Sequence, residues 1–226
     1  ALNVLWWSDE IYRIFGISKS GFGANVEAFW ACVHPDDVAA VKASERRAFS
    51  GLGHNIEHRI VLPDRSIRWV HELGEVDFGA DGKPVRMRGT VQDITQRKSA
   101  EEALAERQAL LRCLLDSIDD IIFFKDKEGR YLGCNPATEA VLGRPESEWI
   151  GKTDLDLFPA DIASDFQYRD REMMAAGSAR RNEEWITYPD GRRILLEMLK
   201  TPYRGPNGEF LGVIGVGRDI TDRNKA

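Results

Sequence analysis

DITQRKSAEEALAERQALLRCLLDSI, residues 93–118, is the stretch whose reading decides the fold. Apolar or small residues fall on a heptad track at Ala100, Leu104, Leu111, Leu114 and Ile118, interrupted only by Arg107, while the remaining positions suit water. The spacing predicts a helix with one stripe built to face a partner. At about 1.5 Å per residue it makes a rod of roughly 35 Å, long enough to separate two domains. Asp93 and Thr95 mark its entry, since a threonine hydroxyl is a favourable N-cap. Two readings of the stripe stay open: a seam with a second chain or domain, or a surface helix packed on its own domain.

The same Asp-Ile-Thr triplet returns at 219–221, and it is part of a larger duplication. A shift of 126 residues lays 57–100 on 183–226 without a gap and with about a dozen identities. Matching turn residues (Pro63-Asp64 with Pro189-Asp190, Gly82 with Gly208, Gly89 with Gly215) mean that the backbone bends at the same places in both halves. Four segments follow: a first domain at 1–94, a connector at 95–118, a second domain at 119–221 and the start of an output helix at 222–226.

In the first half, 1–7 (ALNVLWW) reads as a short strand, DEIYRIFG as a helix stopped by Gly16, and HPDD at 34–37 as the start of a helix carrying Val38, Val41 and Phe49. A hairpin about PDRS joins 56–62 to 67–76, and 85–91 is the last strand. The second half adds a strand at 121–125 that the first half lacks. It continues with a return at 131–135, a Pro136-to-Gly143 helix, a long helix at 162–176 and strands at 182–188, 193–203 and 210–219. Strands, short helices, then strands again make an α+β domain with an antiparallel sheet.

Composition bounds the function. The 226 residues carry 42% hydrophobic and 30% charged residues, ordinary for a globular protein, and no run approaches the roughly 18 apolar residues of a membrane span. A net charge of −6 without a concentrated basic surface argues against nucleic acid as a partner. Cys32, Cys113 and Cys134 are scattered and lack CxxC spacing, which fits unpaired thiols in a reducing cytosol. No nucleotide-binding glycine loop, GxSxG or HExxH is present, so no catalytic set is built and no enzyme activity is expected of this chain.

The HPDD and FPAD segments before the long helix, the PDG-type hairpin turn, the closing strand into Asp-Ile-Thr and the helix after it resemble the PAS sensory family, twice over. Arg68-Trp69 is similar to one PAS variant and GKTDLDLFP at 151–159 to another. The resemblance implies a five-stranded antiparallel sheet with short helices on one face in each copy, the first copy lacking its first strand, and a role in sensing or dimerisation. It also implies that Asp93 and Thr95, and again Asp219 and Thr221, hand the domain's state to the next helix. The light-sensing branch of the family carries GxNCRFLQ, unlike the surroundings of Cys134 or Cys32, and the long helices lack the histidine of haem-binding members. No cofactor is therefore expected, haem and covalent flavin least of all, although a small metabolite is compatible. The connector holds no phosphoacceptor histidine and the chain no GGDEF motif.

If the first hairpin turns about Asp64-Arg65, His58 faces His71 on a side shared with Ile56, Ile60, Leu62, Ile67, Trp69 and Leu73. Two inward imidazoles can bind an anion or titrate near neutral pH, whereas a metal wants three or four ligands and none is expected. The plainer alternative is a pair of core histidines bonded to backbone. The same register places Glu184 opposite Glu197 beside Ile186, Tyr188, Leu195 and Leu199, a carboxylate pair that wants a proton, an arginine or a cationic ligand between them. The alternative there is a solvated rim pair or a different register.

Two functions remain. One is a cytoplasmic tandem sensor that detects a small ligand or protonation change and drives an output domain in the same polypeptide, such as a histidine kinase or diguanylate cyclase. The other is a ligand-free module serving dimerisation or protein interaction. Both expect a homodimer through Leu104, Leu111, Leu114 and Ile118.

Overall fold

The computed structural model describes residues 5–20, 25–188 and 190–222. The chain divides into two compact units, 1–106 and 107–226.

In the first unit, α1 (Asp9–Phe15), α2 (Val26–Cys32), a 3-10 turn (Pro35–Asp37) and α3 (Val38–Phe49) precede β1 (His54–Val61), β2 (Ile67–Phe78) and β3 (Pro84–Asp93). The strands form an antiparallel sheet in the order β1-β2-β3. Local chemistry sets the helix ends. Gly16 takes the left-handed conformation that closes α1, and Asn25 starts α2 by accepting the Ala28 N–H at 2.8 Å. Trp7, Ile14, Phe15, Ile60 and Val70 make the core, each large side chain contributing roughly 1.5–3 kcal/mol by leaving water.

This sheet has three strands among the described residues, where the sequence led us to expect four. Of the expected strand at 1–7, residues 1–4 lie outside the described residues and 5–7 pair with no strand. Trp7 instead turns into the core, its ring 4.8 Å from Phe15 and 5.5 Å from Tyr12. Aromatic packing outweighs strand propensity there.

In the second unit, β4 (Ile121–Asp126) and β5 (Tyr131–Cys134) are followed by α5 (Pro136–Leu142), a 3-10 turn (Glu146–Glu148), α6 (Asp154–Leu157) and α7 (Ala160–Ala176). Then come β6 (Arg180–Thr187), β7 (Arg193–Arg204) and β8 (Phe210–Asp219), and the five strands form one sheet in the order β5-β4-β8-β7-β6. β8 is thus flanked by β7 and β4, whereas its counterpart β3 pairs only with β2 among the described residues. The duplication holds down to register: Val70 faces Asp93 and Leu196 faces Asp219.

α4 (Thr95–Asp116) is continuous and contains no buried residue. Leu104, Leu111 and Leu114 on its heptad track are exposed, as is Ile118, which lies beyond its end at Asp116 rather than on the helix expected to reach it. The output helix expected at 222–226 lies outside the described residues except for Asp222.

The hairpin registers differ from expectation by one residue, in both units and for one reason. Leu62 pairs with Ser66 through a loop whose third residue, Arg65, has φ 69°, so three residues turn the chain instead of two. Tyr188 pairs with Arg192 likewise, with Gly191 at φ 85°. His58 therefore faces Val70, and His71 faces Glu57. Glu184 faces Leu196, and Glu197 faces Glu183. A one-residue slip in one strand moves its side chains to the other face of the sheet.

Candidate functional site

Both units carry the same junction between sheet and exit. Asp93 accepts the Thr95 N–H at 2.9 Å and so caps the start of α4. The Thr95 hydroxyl is not the helix cap that the sequence suggested: it accepts the Trp69 N–H at 3.0 Å, while Ile94 N–H donates to the Trp69 carbonyl at 3.0 Å. In the second unit Asp219 accepts the Thr221 N–H at 2.8 Å, Thr221 accepts the Leu195 N–H at 2.9 Å and Ile220 donates to the Leu195 carbonyl at 2.9 Å. Ile94 and Ile220 are buried. Each triplet staples the end of one strand to the backbone of its neighbour in the sheet, β2 in the first unit and β7 in the second.

Trp69, at the first staple, lies on the face opposite the core, with Arg59 at 5.7 Å and Lys98 at 5.2 Å from its ring. His71 shares that outer face and bonds Asn55 at 2.9 Å. His58 and His71 do not meet.

The corrected register gathers a different set on the inner face. His54, His58 and Glu72 are all buried. His54 Nε2 lies 3.2 Å from one Glu72 carboxylate oxygen, and His58 Nε2 lies 3.3 Å from the other, an ion-pair distance without hydrogen-bond alignment. His58 Nδ1 is 3.2 Å from the Arg59 carbonyl, which calls for an N–H there. Burial alone would discharge Glu72, but the two imidazoles overcome it and hold its pKa below the ordinary carboxylate value. Burial likewise opposes protonation of His58, and the Glu72 carboxylate overcomes that and raises its pKa. Asp37 of the HPDD segment braces β1 by accepting the Arg59 N–H at 2.8 Å and pairing with its guanidinium at 2.7 Å. A cavity of about 210 Å³ reaches this cluster, walled by Trp7, Phe15, Phe29 and Trp30, with His54 and Glu72 among its lining.

The second unit buries a larger network that we did not anticipate from the sequence. Lys125 Nζ bonds both oxygens of Asp154 at 2.8 and 2.7 Å and Asp170 at 2.9 Å. Lys200 bonds the other Asp170 oxygen at 2.5 Å, and the Tyr131 hydroxyl donates to Asp154 at 2.8 Å. Two cations face two anions, and the network joins β4, β5, α6, α7 and β7. Burial works to raise Asp170, but the two lysines overcome it and hold the carboxyl below its usual range. Burial, reinforced by Asp154, drives the Tyr131 phenol well above its ordinary value. The signals were available: Lys125 and Lys200 continue the inward alternations Ile121-Phe123 and Leu196-Met198, and Asp170 sits on the stripe Ala163-Phe166-Met173.

Beside this network lies a cavity of about 70 Å³ lined by Trp149, Phe166, Glu184 and Met198 among others. Glu184 and Tyr188 belong to the inner side, Tyr188 packing on the core. Glu197 lies on the outer side, paired with Arg181 at 2.8 Å, so no carboxylate pair forms between Glu184 and Glu197. Cys134 is buried, and that burial pushes its thiol up to about 12, which leaves it a core residue rather than a nucleophile. Among the described residues no cluster of three or more His, Cys, Asp or Glu is arranged for a metal, and no helix is long and apolar enough to cross a membrane.

The PAS fold family matches residues 4–91 and, through a second PAS subfamily, residues 115–225. The aerobic respiration control sensor protein ArcB of Escherichia coli is 30% identical over 120 residues, covering 53% of this chain and 15% of ArcB. The virulence sensor protein BvgS of Bordetella pertussis is 31% identical over 147 residues, covering 58% of this chain and 11% of BvgS. The methanogenesis regulatory histidine kinase FilI of Methanothrix harundinacea is 30% identical over 129 residues, covering 57% of this chain and 14% of FilI. The solved PAS domain of Bordetella pertussis BvgS superposes with a TM-score of 0.46 at 27% identity, covering 53% of this chain and 90% of that one. With one PAS match on each side of the connector and the staple built alike in both units, the chain belongs to the PAS family and carries the domain in tandem.

Proposed function

We propose that this chain is the tandem sensory region of a larger cytoplasmic signalling protein. A change at the buried polar cluster of either unit biases the packing of its sheet. The stapled strand, β2 or β7, moves, the Asp-Ile-Thr staple moves with it, and the following helix changes register or orientation toward an output domain such as a histidine kinase or diguanylate cyclase. The observation that carries the reading is the duplicated staple, with three matching backbone and side-chain bonds in each unit. Sensor proteins and a regulatory histidine kinase among the relatives support it. On this reading the domains run 1–94 and 119–221, with 95–118 as connector and 222–226 as the beginning of the output helix, and no cofactor is assigned. The test is Thr221→Ala or Asp219→Ala in the full-length protein, which should uncouple output from signal while leaving the fold intact; unchanged signal-dependent output would exclude these residues as the relay.

The exposed stripe Leu104, Leu111, Leu114 and Ile118 favours a second reading, in which the chain serves only as a homodimerisation module. Native mass spectrometry separates the two: a retained small molecule supports sensing, and a bare dimer supports assembly.

A further inference from the structure

The first-unit cavity has a definite chemical polarity. An engineered cavity of about 150 Å³ accommodates benzene, so one of about 210 Å³ takes a substituted or fused aromatic ring, and Trp7, Phe15, Phe29 and Trp30 offer it aromatic walls. At the polar end, His54 is 6% exposed and directs Nε2 to the Glu72 carboxylate at 3.2 Å. Facing a carboxylate, Nε2 carries the proton, and in the neutral ring Nδ1 is then an acceptor. That Nδ1 is buried and has no hydrogen-bond partner among the described residues. Glu72 retains acceptor capacity beyond its two histidines, and Glu45 adds a second carboxylate to the lining. Arg88, which also lines the cavity, pairs with Asp77 at 2.9 Å.

On the sensory reading above, we propose that the first-unit cavity binds a small aromatic or heteroaromatic molecule bearing an N–H or O–H donor, received by His54 Nδ1. Binding engages the free nitrogen of the ring whose Nε2–H bonds Glu72 on β2, two residues from the backbone of Val70 and three from the stapled Trp69. The donor sets selectivity, because a shape-matched ring without it leaves the buried nitrogen unpaired.

Indole and indene are near-isosteres that differ in the N–H, and calorimetric titration of each into the intact 226-residue chain tests the proposal. Indole should bind about tenfold more tightly, the factor that one net hydrogen bond supplies. The imidazole ¹⁵N spectrum of the wild-type protein should show the His54 Nδ1 resonance moving with indole and not with indene. In His54→Phe the preference should vanish. Equal affinities, failure of both to bind, an unmoved Nδ1 resonance, or a preference that survives in a folded His54→Phe protein each overturn the assignment. The relay of the sensory reading fails separately: unaltered output in Thr221→Ala excludes the staple as the relay whether or not indole binds.

Discussion

Lys125→Met is the sharpest perturbation of the second unit. Methionine keeps an unbranched stem of similar girth, so the cavity left behind is small and the loss is electrostatic. Wild-type Lys125 makes three charge-assisted bonds to two carboxylates from a position only 1% exposed. Its removal leaves Asp154 with the Tyr131 hydroxyl, Asp170 with Lys200, and an uncompensated negative charge in the interior. Breaking a buried pair from one side costs about 3–5 kcal/mol, and we expect that range at pH 7. Lys125→Met/Asp154→Asn restores charge balance and keeps an acceptor for Tyr131, so it should recover roughly 2 kcal/mol of the loss. Hydrogen-exchange mass spectrometry of β4 and β7 peptides across a urea series reads the stability of this unit without interference from the other. A single-variant loss below about 1 kcal/mol, or a double variant no more stable than the single, would refute the claim that the network holds helices to sheet.

The first unit should show a distinct pH profile. His58 is raised above its ordinary 6.5, so its contribution is complete below that value and is lost as pH rises through the raised one. Glu72 is held below its ordinary 4.5, so its contribution is present above that value and is lost as pH falls through the depressed one. Stability is therefore greatest at weakly acidic pH, and Glu72→Gln should lower the melting temperature and flatten its decline above pH 6.5; an unaltered slope in melting curves from pH 5.5 to 8.5 would contradict this. Arg65→Gly should stabilise the first unit by about 1 kcal/mol, because a left-handed non-glycine residue is strained by roughly that amount; urea titration measures it. Leu111→Lys should shift the chain from dimer to monomer in light scattering at micromolar concentration if the exposed stripe is a homodimer seam.

Most helices, the hairpins and the duplication were legible because glycine stops and turn residues act locally. Gly16 and Gly143 end their helices as their type dictates. The inner face of each sheet was not legible, since it depends on whether two or three residues make the turn. In the first hairpin that choice rests on Arg65 entering a conformation that glycine usually supplies. The misread turn hid Glu72 and with it the His54–Glu72–His58 cluster. The lysine–aspartate network was hidden differently. Each charge reads alone as a surface residue, and only the coincidence of four inward positions on β4, α6, α7 and β7 neutralises them.

The three-residue loop at 63–65 makes length, rather than side-chain identity, the guardian of the interior. Many exchanges of its residues would preserve which side of β1 meets the core. Removing one residue would offer Glu57 and Arg59 to the inside and push His54 and His58 out into solvent. Descendants of this domain can thus exchange letters of that corner as long as its third position tolerates the left-handed conformation, while insertions and deletions there are barred until the opposite strand slips to match.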